Sequence, residues 1–420
     1  MSTVNQTTLD NGLTVLLKEV HSAPVISSWA MYRVGSRNEP TGLTGASHWV
    51  EHMMFKGTDK FPMGVLDKTI DRCGGQWNAF TSSDYTMYYE TLPASHIDLA
   101  LEAEADRMAN ALFEPEEVES ERTVIISERQ GAENSPMFWL NEQMRATAFR
   151  VHGYGHEILG DLADLQTMTR NDLYNHYRRH YMPRNAVLAI VGAFDSDKML
   201  EKVERFFGDI PGGEVPTLFS RSEPAQIGER RIVIERPGHT AFLKFAYHVP
   251  NAMHGDWFAL ETLDSVLAGP GGGVDNKTSR LYQALVKGEI AAGLGGGLSE
   301  SIDPNLYTVT LTLRDGRTLE EAETALIEQI DRVVTNGITQ KELDKAKKQA
   351  RAAFAYSTES VTNQGYWLEM SAALGDYRWN DQYVAKLSAV TVEDVQVAAQ
   401  RYFTAQNRTV GWLVPTGMGE

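Results

Sequence analysis

Only one cysteine, Cys73, occurs in 420 residues, so no internal disulfide framework can hold this chain together, and its redox compartment stays open. Long apolar runs are missing too: nothing approaches the roughly 18 consecutive residues of a membrane span. The N-terminus, Met-Ser-Thr-Val-Asn-Gln, has neither the basic segment nor the apolar core of a secretory leader. The expected location is cytoplasmic as written, and periplasmic if a signal peptide has been removed ahead of Met1. Positive charge is in short supply. Lys and Arg number 39 against 56 Asp and Glu, and the net charge of −17 argues against nucleic acid and anionic membrane surfaces as partners. What remains is an ordinary globular composition, 42% hydrophobic and 23% charged, in a chain long enough for two or more domains.

The chain reads as two copies of one unit. Asp10-Asn11-Gly12 is a hairpin signal between two extended runs, and Val25–Val34 is rich in β-branched and aromatic residues. Helices are expected at about 44–55 and at Val65–Arg72, followed by strands at Trp77–Phe80 and Asp84–Leu92. Ile97, Leu101, Ala105, Met108 and Leu112 form a helical stripe, and a long acidic helix starts near Pro115. Thr169-x-x-Asp172, Arg179-His180-Tyr181 and Asn185 recur as Thr391-x-x-Asp394, Arg401-Tyr402-Phe403 and Asn407, offset by 222 residues throughout. Upstream of that second copy, Arg231–Glu235 and Phe242–His248 again look like strands, followed by a helix at about 254–267. The expected fold is α+β: two homologous domains, 1–212 and 230–420, each an antiparallel-rich sheet covered by helices on one face, joined by a polar linker at 213–229.

The stretch with chemical content is His48-Trp49-Val50-Glu51-His52. Two histidines four apart on a helix project from one face, one turn apart, and imidazole is a good zinc ligand. Glu51 lies on the neighbouring part of that face, where a carboxylate can take a proton from an attacking water. This is the zincin motif in inverted order. With 11 His and 33 Glu in the chain, about 0.02 such pentads are expected by chance, so the motif is a hypothesis worth testing against its context. A catalytic zinc usually takes a third protein ligand. The acidic helix offers two: Glu121 and Glu128 share a stripe with Ile125, and a carboxylate on an apolar stripe wants a cation. Glu114, Glu116, Glu117 and Glu119 read instead as solvent-facing acid at a helix start.

Other candidates read as structural. His176 and His180 share the same spacing but flank Arg178-Arg179, with no carboxylate placed to help, and are expected on a solvated helix face. His152-Gly153-Tyr154-Gly155-His156 carries two glycines and reads as a loop. Gly269-Pro270-Gly271-Gly272-Gly273 lacks the ending of a phosphate-binding loop and reads as a flexible turn. Cys73 has no activating pattern and is expected to be buried and inert.

Three stretches, Gly45–Thr58, Gly74–Thr81 and Glu121–Glu128, resemble the signature segments of the pitrilysin/insulinase zinc peptidases, which include the mitochondrial processing peptidase and bacterial relatives, and the resemblance covers the whole length. It implies that Zn²⁺ is held by His48, His52 and Glu128, that Glu51 is the catalytic base, and that Glu121 sits beside the site. It also implies that Asn78 and Ala79 form a strand edge that pairs with the substrate backbone, which suits a peptide held by main-chain hydrogen bonds.

One departure matters. Many members of that family carry an Arg and a Tyr, seven residues apart, in the second domain, where they hold and polarise the substrate. Aligned on Ser279-Arg280-Leu281, those positions are Val286 and Gly293, and neither side chain can donate a hydrogen bond. The expectation is therefore a zinc endopeptidase acting on peptides or unfolded segments as the metal-bearing subunit of a heterodimer, with a zinc-less sister subunit supplying the Arg/Tyr clamp. The alternative is a non-catalytic peptide-binding or structural subunit of a larger assembly.

Overall fold

The structure, a computed structural model, describes residues 4–217, 221–269 and 277–417. The first half runs β1 (Val4–Thr8), β2 (Thr14–Glu19), β3 (Val25–Tyr32), α1 (Ala46–Met53), α2 (Val65–Arg72), β4 (Gln76–Thr81), β5 (Thr86–Pro93), α3 (Ile97–Asn110), α4 (Pro115–Glu133), α5 (Pro136–Ala148), α6 (Leu162–Thr167), α7 (Arg170–His180), β6 (Ala186–Gly192) and α8 (Ser196–Phe207). The second half runs β7 (Arg230–Arg236), β8 (Phe242–Val249), α9 (Trp257–Leu267), β9 (Ala291–Gly297), β10 (Asn305–Leu313), α10 (Leu319–Asn336), α11 (Gln340–Ser357), α12 (Val361–Ala373), α13 (Trp379–Ala389), α14 (Val392–Tyr402) and β11 (Arg408–Pro415).

The strands form two sheets, β1-β2-β6-β3-β5-β4 and β7-β11-β8-β10-β9. Leaving out β1, the two orders correspond strand for strand, down to the one parallel pair in each, β2 with β6 and β7 with β11. The repeat extends to single hydrogen bonds. α7 and α14 each open on a capping box, Thr169 with Asp172 and Thr391 with Asp394. At their far ends Asn185 Nδ2 donates to His180 O at 2.9 Å, and Asn407 Nδ2 to Tyr402 O at 2.8 Å. The fold is α+β with two homologous parts.

One expectation fails. The sheets are covered by helices on both faces. In the first, Val15, Leu17, Ala30, Leu188 and Ile190 enter one core with α1, α3 and α8. Their neighbours Leu16, Trp29, Met31, Val187 and Ala189 enter a second core with Leu368, Ala372 and Ala373 of α12. Period-2 alternation sends adjacent residues to opposite faces, and here both faces are apolar. In the second sheet, Leu140 and Met144 of α5 pack with Ala246 and Leu413 on one face, while Tyr247 and Tyr307 lie against Phe403 on the other.

The compact units follow from this packing. One comprises the described residues of Met1–Gly131, His156–Arg221 and Ser357–Asn380; the other, those of Ala132–Gly155, Ser222–Tyr356 and Asp381–Glu420. α12 thus belongs with the first sheet and α5 with the second, which a single cut at 213–229 does not capture. Residues 213–217 and 221–229 of the expected linker carry no helix or strand, and 218–220 lie outside the described residues. So do Pro270–Gly273 of the glycine-rich stretch. Cys73 is half-buried at the end of α2, more open than expected.

Candidate metal centre

The site is built on α1. Gly45 precedes this helix with φ of +90°, and a Cβ there would stand 2.8 Å from Leu159 O, so the entry turn requires glycine. The first turn is capped from a distance: the buried Glu39 carboxylate accepts from Gly45 N at 2.8 Å and from Ser47 N at 2.7 Å, where negative charge suits a helix N-terminus. Trp49, Val50 and Met53 are fully buried and fix the helix rotation, which leaves His48 and His52 at the rim of the core, 14% and 18% exposed.

Facing them is α4. Val118 and Ile125 are buried in the same core, and that anchors the stripe carrying Glu121 and Glu128. Glu128 Oε2 comes within 3.8 Å of His48 Nε2 and 3.5 Å of His52 Nε2, and one ligand atom from each of the three residues lies within 4.8 Å of the others. Around a tetrahedral zinc with bonds of about 2.0–2.2 Å, ligand atoms sit roughly 3.3 Å apart, so a small contraction of this set suits the ion. Two imidazole nitrogens and one carboxylate are the donor types zinc takes, and Glu128 is 43% exposed, which leaves a side open.

The two imidazoles are shifted in opposite directions. Burial, with His52 alongside, lowers His48 to about 4, so the ring is neutral at pH 7. For His52 burial works against the proton, but the Glu121 hydrogen bond and the charge of Glu128 outweigh it and raise the pKa. His52 Nδ1–H donates to Glu121 Oε1 at 2.8 Å, which fixes the tautomer and leaves Nε2 as the lone-pair donor. The other oxygen of Glu121 is ion-paired with Lys56. Despite burial, these two partners hold Glu121 below the usual carboxylate range. Glu51 is 8% exposed; burial raises its pKa, against a hydrogen bond from Thr81 Oγ1 at 2.6 Å.

Asn78 and Ala79 lie on β4, the outer strand of the first sheet, and among the described residues β4 pairs only with β5. Val286 ends a short helical turn, Tyr282–Val286, and Gly293 lies on β9, the outer strand of the second sheet. The nearby Arg280 is committed elsewhere: its guanidinium grips Glu342 at 2.7 and 2.8 Å.

His176 and His180 correct their expectation. They are 8% and 6% exposed, because α7 packs on α1, and His176 Nε2 lies 3.2 Å from Ser47 Oγ. His176 packs under α1 with His180 beside it, and burial lowers the pKa of both rings. His152 joins Asp303 at 3.1 Å. Glu39, Lys56 and Thr81 were not singled out from sequence. Lys56 and Thr81 lie inside the signature stretches, but nothing local says what they touch.

A duplicated α+β chain with two helical histidines and a facing glutamate in one repeat has the build of a metallopeptidase. The model of the insulinase-type M16 peptidases matches residues 14–162, and that described as the M16 inactive domain matches 167–350. The zinc protease PqqE of Helicobacter pylori is 30% identical over 97% of this chain and 92% of its own length. A probable mitochondrial-processing peptidase subunit beta of Arabidopsis thaliana is 31% identical over 72% of this chain and 58% of its own length. The crystal structure of a protease from Helicobacter pylori superposes with a TM-score of 0.94 at 28% identity, covering 99% of this chain and 100% of that one. The chain belongs to the pitrilysin/insulinase (M16) family of zinc peptidases.

Proposed function

We propose that this chain is a zinc-dependent endopeptidase for peptides or unfolded segments, and the metal-bearing subunit of a heterodimer. The observation that carries the reading is the convergence of His48, His52 and Glu128 with Glu51 on the same helix. Those three residues would hold Zn²⁺. When bound, zinc lowers the pKa of water and polarises a carbonyl. Glu51 takes the proton of the attacking water and passes it to the leaving amine. Glu121, with Lys56 behind it, orients His52. The side of β4 facing away from β5, at Asn78 and Ala79, receives the substrate main chain as an added strand.

The heterodimer follows from what the second repeat lacks. Val286 and Gly293 offer no donor for a substrate carbonyl or an oxyanion, so a zinc-less sister subunit supplies the Arg/Tyr clamp. The relative in Arabidopsis is itself named a subunit. A second reading, a peptide-binding or structural subunit without catalysis, draws on the same missing donors. Elemental analysis and a quenched-peptide assay separate the two. The catalytic reading expects one zinc per chain and chelator-sensitive hydrolysis that Glu51→Gln abolishes. A chain with no zinc, or hydrolysis indifferent to chelator and to Glu51→Gln, overturns it.

A further inference from the structure

We propose that Thr81 is a positioning residue for Glu51, tying the general base to the strand that receives the peptide; this rests on the peptidase reading above. The argument is one of proton bookkeeping. Thr81 Oγ1 lies 2.6 Å from Glu51 Oε2 and 3.4 Å from Thr86 Oγ1. Thr86 already donates its proton to Val34 O at 3.0 Å. An ionised carboxylate can only accept and is the nearer partner by far, so the Thr81 hydroxyl proton goes to Glu51 in a short charge-assisted bond.

A glutamate on a helix has three rotatable side-chain bonds, and α1 itself does not say where its carboxylate points. Thr81 does. It is β-branched, with few side-chain rotamers, at the end of β4, where it pairs with Thr86. It shares a strand face with Ala79, two residues back, which is buried in the core that carries α1. The backbone of β4 that would align the substrate thus also carries the hydroxyl that aims the base. A peptide added along Asn78–Ala79 is indexed to Glu51 through one rigid strand.

The test uses the zinc-loaded full chain as Thr81→Val, which keeps shape and strand preference, Thr81→Ser, which keeps the hydroxyl, and Glu51→Gln. Zinc content, kcat and KM on a quenched peptide, and the affinity for acetohydroxamate, a metal chelator whose proton a neighbouring carboxylate accepts, are measured for each. Thr81→Val should keep full zinc and an unchanged KM, lose roughly 10- to 100-fold in kcat, and bind the hydroxamate more weakly. Thr81→Ser should stay within about threefold of wild type, because the hydrogen bond survives. Wild-type kcat and hydroxamate affinity in Thr81→Val overturn the proposal, as does a Thr81→Ser as impaired as Thr81→Val. Either result beside an inactive Glu51→Gln leaves the peptidase reading standing; a fully active Glu51→Gln overturns both.

Discussion

The helices α1 and α9 follow corresponding strands, β3 and β8, in two sheets of the same order, and they do opposite things. α9 is drawn into its core: all its residues but Glu261 are buried. Its acids are silenced there. Burial raises Glu261 to about 8, against a hydrogen bond from Tyr383, and raises Asp264 to about 8, against Tyr307. α1 instead keeps His48 and His52 at the rim, and α4 brings Glu121 and Glu128 to them. The fold supplies the place; a half-open helix face and a carboxylate-bearing neighbour supply the site.

Changes that strip α1 of its chemistry should therefore hurt most. Glu51→Gln is expected to keep zinc and lose about 10²- to 10⁴-fold in turnover, read by elemental analysis beside a peptide assay. Glu121→Gln should weaken zinc binding about 10- to 100-fold, measured by competition with a chromophoric chelator, because the acceptor that orients His52 loses its charge and Lys56 loses its ion-pair partner.

The next comparison sharpens the two-faced sheets. Gly365 of α12 and Gly411 of β11 sit where the outer helix meets each sheet. A Cβ on Gly365 would come 2.3 Å from Trp29 Cδ1, and Trp29 is locked by a 2.8 Å bond to Ser27 and by stacking on Tyr89. A Cβ on Gly411 would meet Met144 Sδ at 2.5 Å and Leu140 Cδ1 at 2.9 Å, the ends of flexible side chains. Gly365→Ala should cost about 1–3 kcal/mol, and Gly411→Ala less, by urea unfolding.

A last effect lies in the silenced acids, and it is read as a pH dependence. Unfolded, Glu261 and Asp264 titrate near 4.5 and 3.8; folded, near 8. Between those values the folded chain holds protons that the unfolded chain has released. Their contribution to stability is full below that window and falls as pH rises through it, by about 1.4 kcal/mol per pH unit per group at most. Glu261→Gln should flatten the fall between pH 6 and pH 8.

The repeat, most helices and the candidate pentad His48–His52 were legible because each rests on local pattern: a fixed offset, a 3.6-residue stripe, a pentad on one helix face. Glu128 needed the family resemblance, since nothing local separates it from Glu121. What stayed hidden is non-local. The second helical face is foreshadowed by Ala186–Val191, an unbroken apolar run that a one-faced strand would not show, but the covering helix comes from residue 361 onward. His176 and His180 looked solvated because their arginine neighbours dominate the pattern; packing on α1 decided otherwise. Glu39 caps α1 across six to eight residues of irregular chain, which no helix-start rule anticipates.

The most direct test of a half-built active site is the turnover of the isolated, zinc-loaded chain on an unfolded peptide. The expected kcat/KM lies at least about a hundredfold below the 10⁴ M⁻¹s⁻¹ that marks the lower end of ordinary enzymes, while zinc is bound in full. Isolated chain that reaches or exceeds that value, with no partner present, would contradict the claim that Val286 and Gly293 leave the site incomplete.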